Sequence, residues 1–192
     1  MNYQDYIWDL GGTLLDNYGT STAAFVHTLQ DFGLTASHDE VYKALKVSTE
    51  YAVRQFAPRN KEFLKAYKAN EAKELEHPIL FEGASELLAQ IIQQGGRNFL
   101  ISHRDDQVLE ILQKTQISAY FTEVVTATNG FKRKPDPESM LYLKDKYQIK
   151  SGLVIGDRPI DIEAGQAAGF SCYLFDNMKN LEEFVDIELE KE

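Results

Sequence analysis

The sequence predicts an α/β protein: a doubly wound, mainly parallel sheet with an α-helical insert. Three observations point there. Short continuous apolar runs at 6–8, 99–101, 124–126, 153–155 and 172–175 alternate, from residue 78 onward, with helical patterns; such runs suit strands covered on both faces. Between about Thr20 and Lys73 apolar residues recur only at helical spacing, with no strand pattern. Three of the runs stop at a polar residue, Asp9, Ser102 or Asp157. The expected division is a core of residues 1–16 and 81–192 with a helical insert over 17–80.

Each element has its own signal. Tyr6, Ile7 and Trp8 are aromatic and β-branched; Gly11, Gly12 and Thr13 then break the run into a tight loop. Within the insert, Phe25, Leu29 and Phe32, then Val41, Ala44 and Leu45, then Phe63, Leu64 and Tyr67 mark helical faces, punctuated by Gly33 and Pro58. Residues 84–94 place Leu87, Leu88, Ile91 and Ile92 on one face and stop at Gly95 and Gly96. A helix over 105–114 carries Val108, Leu109 and Leu112, and one over 137–147 has proline near its start. The run 153–155 ends at Gly156 and Asp157, and a helix over 161–168 closes at Gly169.

Composition narrows the function classes. A chain of 192 residues can bury a core without disulfides. With 43% hydrophobic and 26% charged residues it reads as soluble and globular. A net charge of -10 disfavours nucleic acid and anionic membranes as partners, so an anionic substrate needs a local positive site. Cys172 is the single cysteine and sits in an apolar run, which favours a buried small hydrophobe over a reactive thiol. Residues 1–9 carry no signal pattern and no run reaches the length of a membrane span; the expected location is cytoplasmic. The acidic stretch 182–192 reads as a solvated helix end or frayed terminus.

The polar strand ends carry the chemistry. In open parallel sheets ligands bind beyond the carboxyl ends of the strands, and right-handed crossovers bring those ends to one edge. Asp9, Ser102 and Asp157 can therefore converge, with Lys134 joining from a loop. Two carboxylates side by side repel unless a cation lies between them; Mg2+ suits oxygen ligands and a phosphate. A carboxylate can attack phosphorus, Ser102 can bond a phosphate oxygen, and Lys134 can neutralise developing charge. Each residue taken singly has a plainer reading: Asp9 as a turn residue, Ser102 as a strand-end cap, Asp161 as a helix N-cap, Lys134 as a solvated charge.

Taken in order, the residues resemble the haloacid dehalogenase superfamily. Asp9-Leu10-Gly11-Gly12-Thr13-Leu14-Leu15-Asp16 is similar to its first motif, D-x-D-G-T-L-x-D. Ser102 fits the second, Lys134-Pro135-Asp136-Pro137 the third, and Gly156-Asp157 through Asp161 the fourth. The insert resembles the small cap of the phosphoglycolate phosphatase and β-phosphoglucomutase branch. The resemblance implies a hydrolase with a Rossmann-like core, acting on a small phosphorylated substrate, phosphoglycolate by default, through an aspartyl-phosphate. It implies Asp9 as nucleophile and Mg2+ ligand, with Asp157 and the Gly11 carbonyl as further ligands. Gly12, Thr13, Ser102 and Lys134 would hold phosphate, Asp161 would support Lys134, and the cap would close over the substrate.

Gly11 departs from the pattern, because most phosphatases of the superfamily carry there a second aspartate that protonates the leaving oxygen. Three accounts follow. The chain is a phosphatase that is slow, takes an activated leaving group, or draws its acid from elsewhere, such as His103. Or it resembles phosphonoacetaldehyde hydrolase, with Lys46 of the cap as a Schiff-base lysine. Or it is a non-catalytic module that binds a phosphorylated ligand or a protein. His103 and Arg104, next to the second motif, line the site or serve an ordinary loop role.

Overall fold

A computed structural model describes residues 3–189; the expectations for Met1, Asn2 and residues 190–192 lie outside that range. Its elements in chain order are β1 (Asp5–Trp8), α1 (Asn17–Asp31), α2 (His38–Val47), α3 (Thr49–Phe56), α4 (Phe63–Glu74), α5 (Ala84–Gln93), β2 (Arg97–Ile101), α6 (Gln107–Lys114), β3 (Phe121–Val125), α7 (Glu138–Tyr147), β4 (Gly152–Gly156), α8 (Pro159–Ala167), β5 (Ser171–Leu174) and α9 (Met178–Leu189). The chain divides into two compact units, Met1–Leu15 with Leu80–Glu192, and Asp16–Ile79. Each boundary falls one residue earlier than the sequence pattern puts it.

In the first unit the five strands pair in the order β3-β2-β1-β4-β5, every neighbour parallel. Successive strand side chains point to opposite faces, and both faces are apolar. Tyr6, Trp8, Leu100, Leu153 and Ile155 pack on one side with Leu87, Leu88 and Ile91 of α5, Val108 and Leu112 of α6, and Leu181 of α9. Ile7, Phe99, Ile101 and Val154 pack on the other with Met140 and Leu143 of α7 and Ala164 of α8. The doubly wound α/β architecture read from the sequence is the one observed. Two polar residues hidden in this core satisfy each other's needs: the Trp8 indole N–H donates to Asn98 Oδ1 at 2.9 Å, and the Asn98 amide donates to Leu88 O.

The second unit contains α1–α4. Phe25 of α1 lies at its centre, with Phe63 and Tyr67 of α4 each at 4.9 Å between ring centroids. Three helix starts are built by side-chain oxygens on orphan amides. Asp16 accepts from the Gly19 amide, Ser37 and Glu40 form a capping box, and Ser48 accepts from the Tyr51 amide.

Several sequence expectations need correcting. Ile92, Leu109 and Leu64 are 40%, 45% and 40% exposed. Each follows a buried neighbour by one position, and one step around a helix is about 100°, which carries it off a face that packs on one side only. Helix α3, which the sequence pattern does not mark, buries Ala52 and packs Val53 and Phe56 partly buried against the same cluster. Strand β3 begins at Phe121 and ends before Thr126. Helix α8 begins at Pro159, so Asp161 is its third residue and not its N-cap. Cys172 is half-buried rather than fully so. No helix among the described residues is long and apolar enough to cross a membrane.

Candidate active site

The site grows from the carboxyl ends of β1, β2 and β4. Asp9 directly follows β1, and its amide donates to Ile155 O at 2.9 Å, so the ladder with β4 fixes its backbone. Ser102 follows β2 and is held in the same way by its bond to Val125 O. Asp157 follows β4. β1 is central, and the chain winds outward from it in both directions, which makes its end the topological switch point where α/β sheets bind ligands.

The loop after β1 is compact. Leu10 O accepts from the amides of Leu14 and Leu15, and the Gly12 amide donates to Leu15 O at 2.9 Å. Gly12 has φ 84°, and a Cβ on it would overlap the Asp157 carboxylate. Its amide is spent inside the loop, so what glycine contributes is the absence of a side chain rather than a phosphate contact. Thr13 is fully buried, and its hydroxyl has no hydrogen-bond partner. Gly156 plays the same steric part on the far side, where a Cβ would overlap Asp161.

Lys134 ties the site together. It is buried, and its ammonium donates to Asp9 Oδ1 and to Asp161 Oδ1, both at 2.7 Å. The other Asp161 oxygen accepts from the Arg158 amide at 3.2 Å. Asp9, Asp157 and Asp161 each offer an oxygen within 4.8 Å of the others. Burial pushes the Asp9 carboxyl above its ordinary value and neighbouring Asp161 adds to the push, while Lys134 pulls it back. The Asp157 carboxyl is raised to about 6 by burial, then by Asp9 and Asp161.

The carboxylates outnumber the ammonium. Asp157 Oδ1 is buried without a hydrogen-bond partner, an arrangement that costs free energy unless something positive meets it. Oxygen donors at this spacing fit a small divalent cation.

His103 occupies a place that spacing does not announce. Its Nε2 accepts from the Lys134 backbone amide at 2.7 Å. Burial, then Lys134, Arg133 and Arg158, push its pKa down to about 4. At neutral pH the ring is uncharged, with its proton on Nδ1. Ser102 Oγ accepts from the Arg104 amide at 3.3 Å. Beside Ser102 and His103 lies a cavity of about 130 Å3, whose rim includes Lys132 and Arg133.

Residues 6–175 match the family profile of haloacid dehalogenase-like hydrolases. The chain belongs to that family. It is 29% identical to a phosphoglycolate phosphatase of Aliivibrio fischeri, over 88% of this chain and 81% of that one. It is 25% identical to the pyrophosphatase PpaX of Oceanobacillus iheyensis, again over 88% and 81%. The crystal structure of a hydrolase from Streptococcus pneumoniae TIGR4 is 70% identical, with a TM-score of 0.94, over 97% of this chain and 100% of that one. A haloacid dehalogenase-superfamily hydrolase of Geobacter sulfurreducens, 20% identical, shares the fold at a TM-score of 0.73, over 97% and 96%. The chain is thus a haloacid dehalogenase-like hydrolase.

Lys46, the residue singled out by the phosphonoacetaldehyde hydrolase comparison, lies on α2 of the helical unit. It is exposed, with its ammonium 5.4 Å from the Tyr42 ring centroid and 5.5 Å from that of Tyr18. A Schiff-base lysine needs desolvated surroundings, which an exposed side chain lying over two aromatic rings lacks.

Proposed function

We propose that this hydrolase is a magnesium-dependent phosphatase of a small phosphorylated metabolite, working through an aspartyl-phosphate on Asp9. The observation that carries the reading is the buried Lys134 bridge between Asp9 and Asp161, set beside the unpartnered Asp157 Oδ1. Asp9, Asp157 and the Gly11 carbonyl would hold Mg2+, which when bound shields the phosphoryl oxygens and the carboxylates from one another.

The chain's own groups do the rest. Lys134 fixes the Asp9 rotamer and offsets negative charge on the nucleophile and the phosphoryl group. Ser102 and Thr13 supply hydroxyls to phosphoryl oxygens, and Asp161 orients Lys134. Arg133 and Arg158 add positive charge around His103, a local counterweight to the acidic balance of the chain. Asp9 attacks phosphorus, the leaving group departs, and water then cleaves the acyl phosphate. The helical unit, inserted between the first and second motifs, acts as the cap that excludes bulk water and selects the substrate. A cytoplasmic location suits such a metabolite enzyme.

The test is hydrolysis of p-nitrophenyl phosphate with Mg2+ by the wild type and by Asp9→Asn. Loss of activity in the variant and in chelator is expected, by at least about 10³-fold for removal of the nucleophile. Wild-type turnover no greater than that of Asp9→Asn would overturn the reading in favour of a phospholigand-binding module. The phosphonatase alternative predicts instead borohydride trapping at Lys46 with phosphonoacetaldehyde. Phosphoglycolate, named by several relatives, is the first natural ester to assay.

A further inference from the structure

Resting on that reading, we propose that the substrate is a phosphoryl compound whose leaving group departs without a proton, an acyl phosphate or a phosphoric anhydride, rather than the ester of an aliphatic alcohol. The observation is that, among the described residues of the core unit, the groups hydrogen-bonded around Asp9 offer no free proton donor. Residue 11 lies two positions beyond Asp9 and is glycine, so no side chain stands there.

The neighbouring groups are each committed elsewhere or unsuited. Lys134 is committed to hydrogen bonds with two carboxylates. Both Asp161 oxygens are acceptors, one from Lys134 and one from the Arg158 amide. Asp157 serves the cation. His103 presents Nε2 as an acceptor to the Lys134 amide, and a neutral imidazole is not a useful acid through its remaining N–H. Thr13 offers only a hydroxyl and Arg158 a guanidinium that keeps its proton.

An alkoxide is about as basic as hydroxide and leaves poorly unless protonated. A carboxylate, with a conjugate acid near 4, leaves unaided. In the first step an Asp9 oxygen forms a bond to phosphorus while the bond from phosphorus to the carboxylate oxygen breaks. The leaving carboxylate keeps the electron pair and takes no proton. In the second step water adds to phosphorus, the Asp9–phosphorus bond breaks, and Asp9 departs as a carboxylate. Both water protons end on inorganic phosphate. Neither bond cleavage needs an acid, which matches what the core provides. A phosphoric anhydride behaves alike, with phosphate as the leaving anion.

The experiment is a leaving-group series with Mg2+ on the whole protein: substituted aryl phosphates, acetyl phosphate, pyrophosphate, phosphoglycolate and glycerol phosphate. The wild-type kcat/KM should fall steeply as the leaving group becomes more basic, leaving alkyl phosphates about 10²–10⁴ below acetyl phosphate or pyrophosphate, the worth of a positioned acid. Acetyl phosphate ahead of pyrophosphate selects the acyl class, and the reverse order the anhydride class. Gly11→Asp tests the cause by placing a carboxyl two positions beyond Asp9. It should flatten the series by raising the alkyl phosphates. A shallow wild-type series, with phosphoglycolate as fast as acetyl phosphate, overturns the proposal, because an acid must then come from the helical unit or elsewhere. That outcome leaves the phosphatase reading intact. Turnover of the series independent of Asp9, or none at all, sinks both.

Discussion

Lys134 holds an ammonium between two carboxylates, with its side chain 1% exposed and those of Asp161 and Asp9 0% and 7%. Removing one partner of such a cluster strands the others in a poorly solvated place, which typically costs about 3–5 kcal/mol. Lys134→Met, close in shape and without charge, should therefore lose stability of that order as well as turnover. Urea unfolding at neutral pH in chelator measures it, and a midpoint unchanged from wild type would mean that water already screens the carboxylates. Lys134 is legible in the sequence because K-P-x-P follows a strand at a recognisable distance, and Asp161 because it closes the fourth motif. His103 is not legible in the same way. Its partner is a backbone amide 31 residues on, and backbone partners leave no trace in residue type. The Gly12 amide escapes sequence reasoning for a related reason: motif spacing cannot reveal that Leu15 O already takes it.

At the level of elements, the loop after β1 is where sequence and steric demand meet most tightly. Gly12 combines φ 84° with a Cα that abuts the Asp157 carboxylate. Alanine there faces a left-handed backbone penalty of about 1–2 kcal/mol, and its methyl must also displace Asp157. Gly12→Ala should thus lose stability and bind the cation more weakly, readable as a smaller rise in melting temperature on adding Mg2+. An unchanged Mg2+ response would show that the loop moves without disturbing Asp157. Strands are the most legible elements because parallel strands buried on both faces are apolar at every position, as β1 and β4 nearly are. Helix faces look wider in sequence than they are. Leu64, Ile92 and Leu109 have the pattern of core residues, but a helix packed on one side buries one stripe, and its flanking apolar residues remain in water. Short α3 packs through Ala52, Val53 and Phe56, too brief a run to mark a helix by periodicity alone.

Across the whole molecule, two titrating groups at the site pull stability in opposite directions. Asp157 has its pKa raised from 3.8 to about 6. The fold prefers it protonated, so its favourable contribution is full below about pH 4 and is lost as pH rises through 6. His103 is lowered from 6.5 to about 4. The fold prefers it neutral, so its contribution is full above pH 6.5 and is lost as pH falls through 4. Between about pH 4 and 6 the two nearly offset each other in the metal-free protein. Mg2+ held as proposed would break the balance because it needs Asp157 ionised. A ligand bound only by the native state stabilises by about 2.7 kcal/mol at a hundred times its Kd, and protons compete for the same oxygen below pH 6. The melting temperature should therefore rise with Mg2+ clearly at pH 7.5 and much less at pH 5, and Asp157→Asn should abolish the rise at both. Equal shifts at the two pH values, or a full shift in Asp157→Asn, would move the cation away from Asp157. The substitution His103→Asn, whose amide oxygen can still accept from the Lys134 amide, removes one side of the balance. In chelator the His103→Asn variant should then gain stability relative to the wild type as pH falls from 6 toward 4.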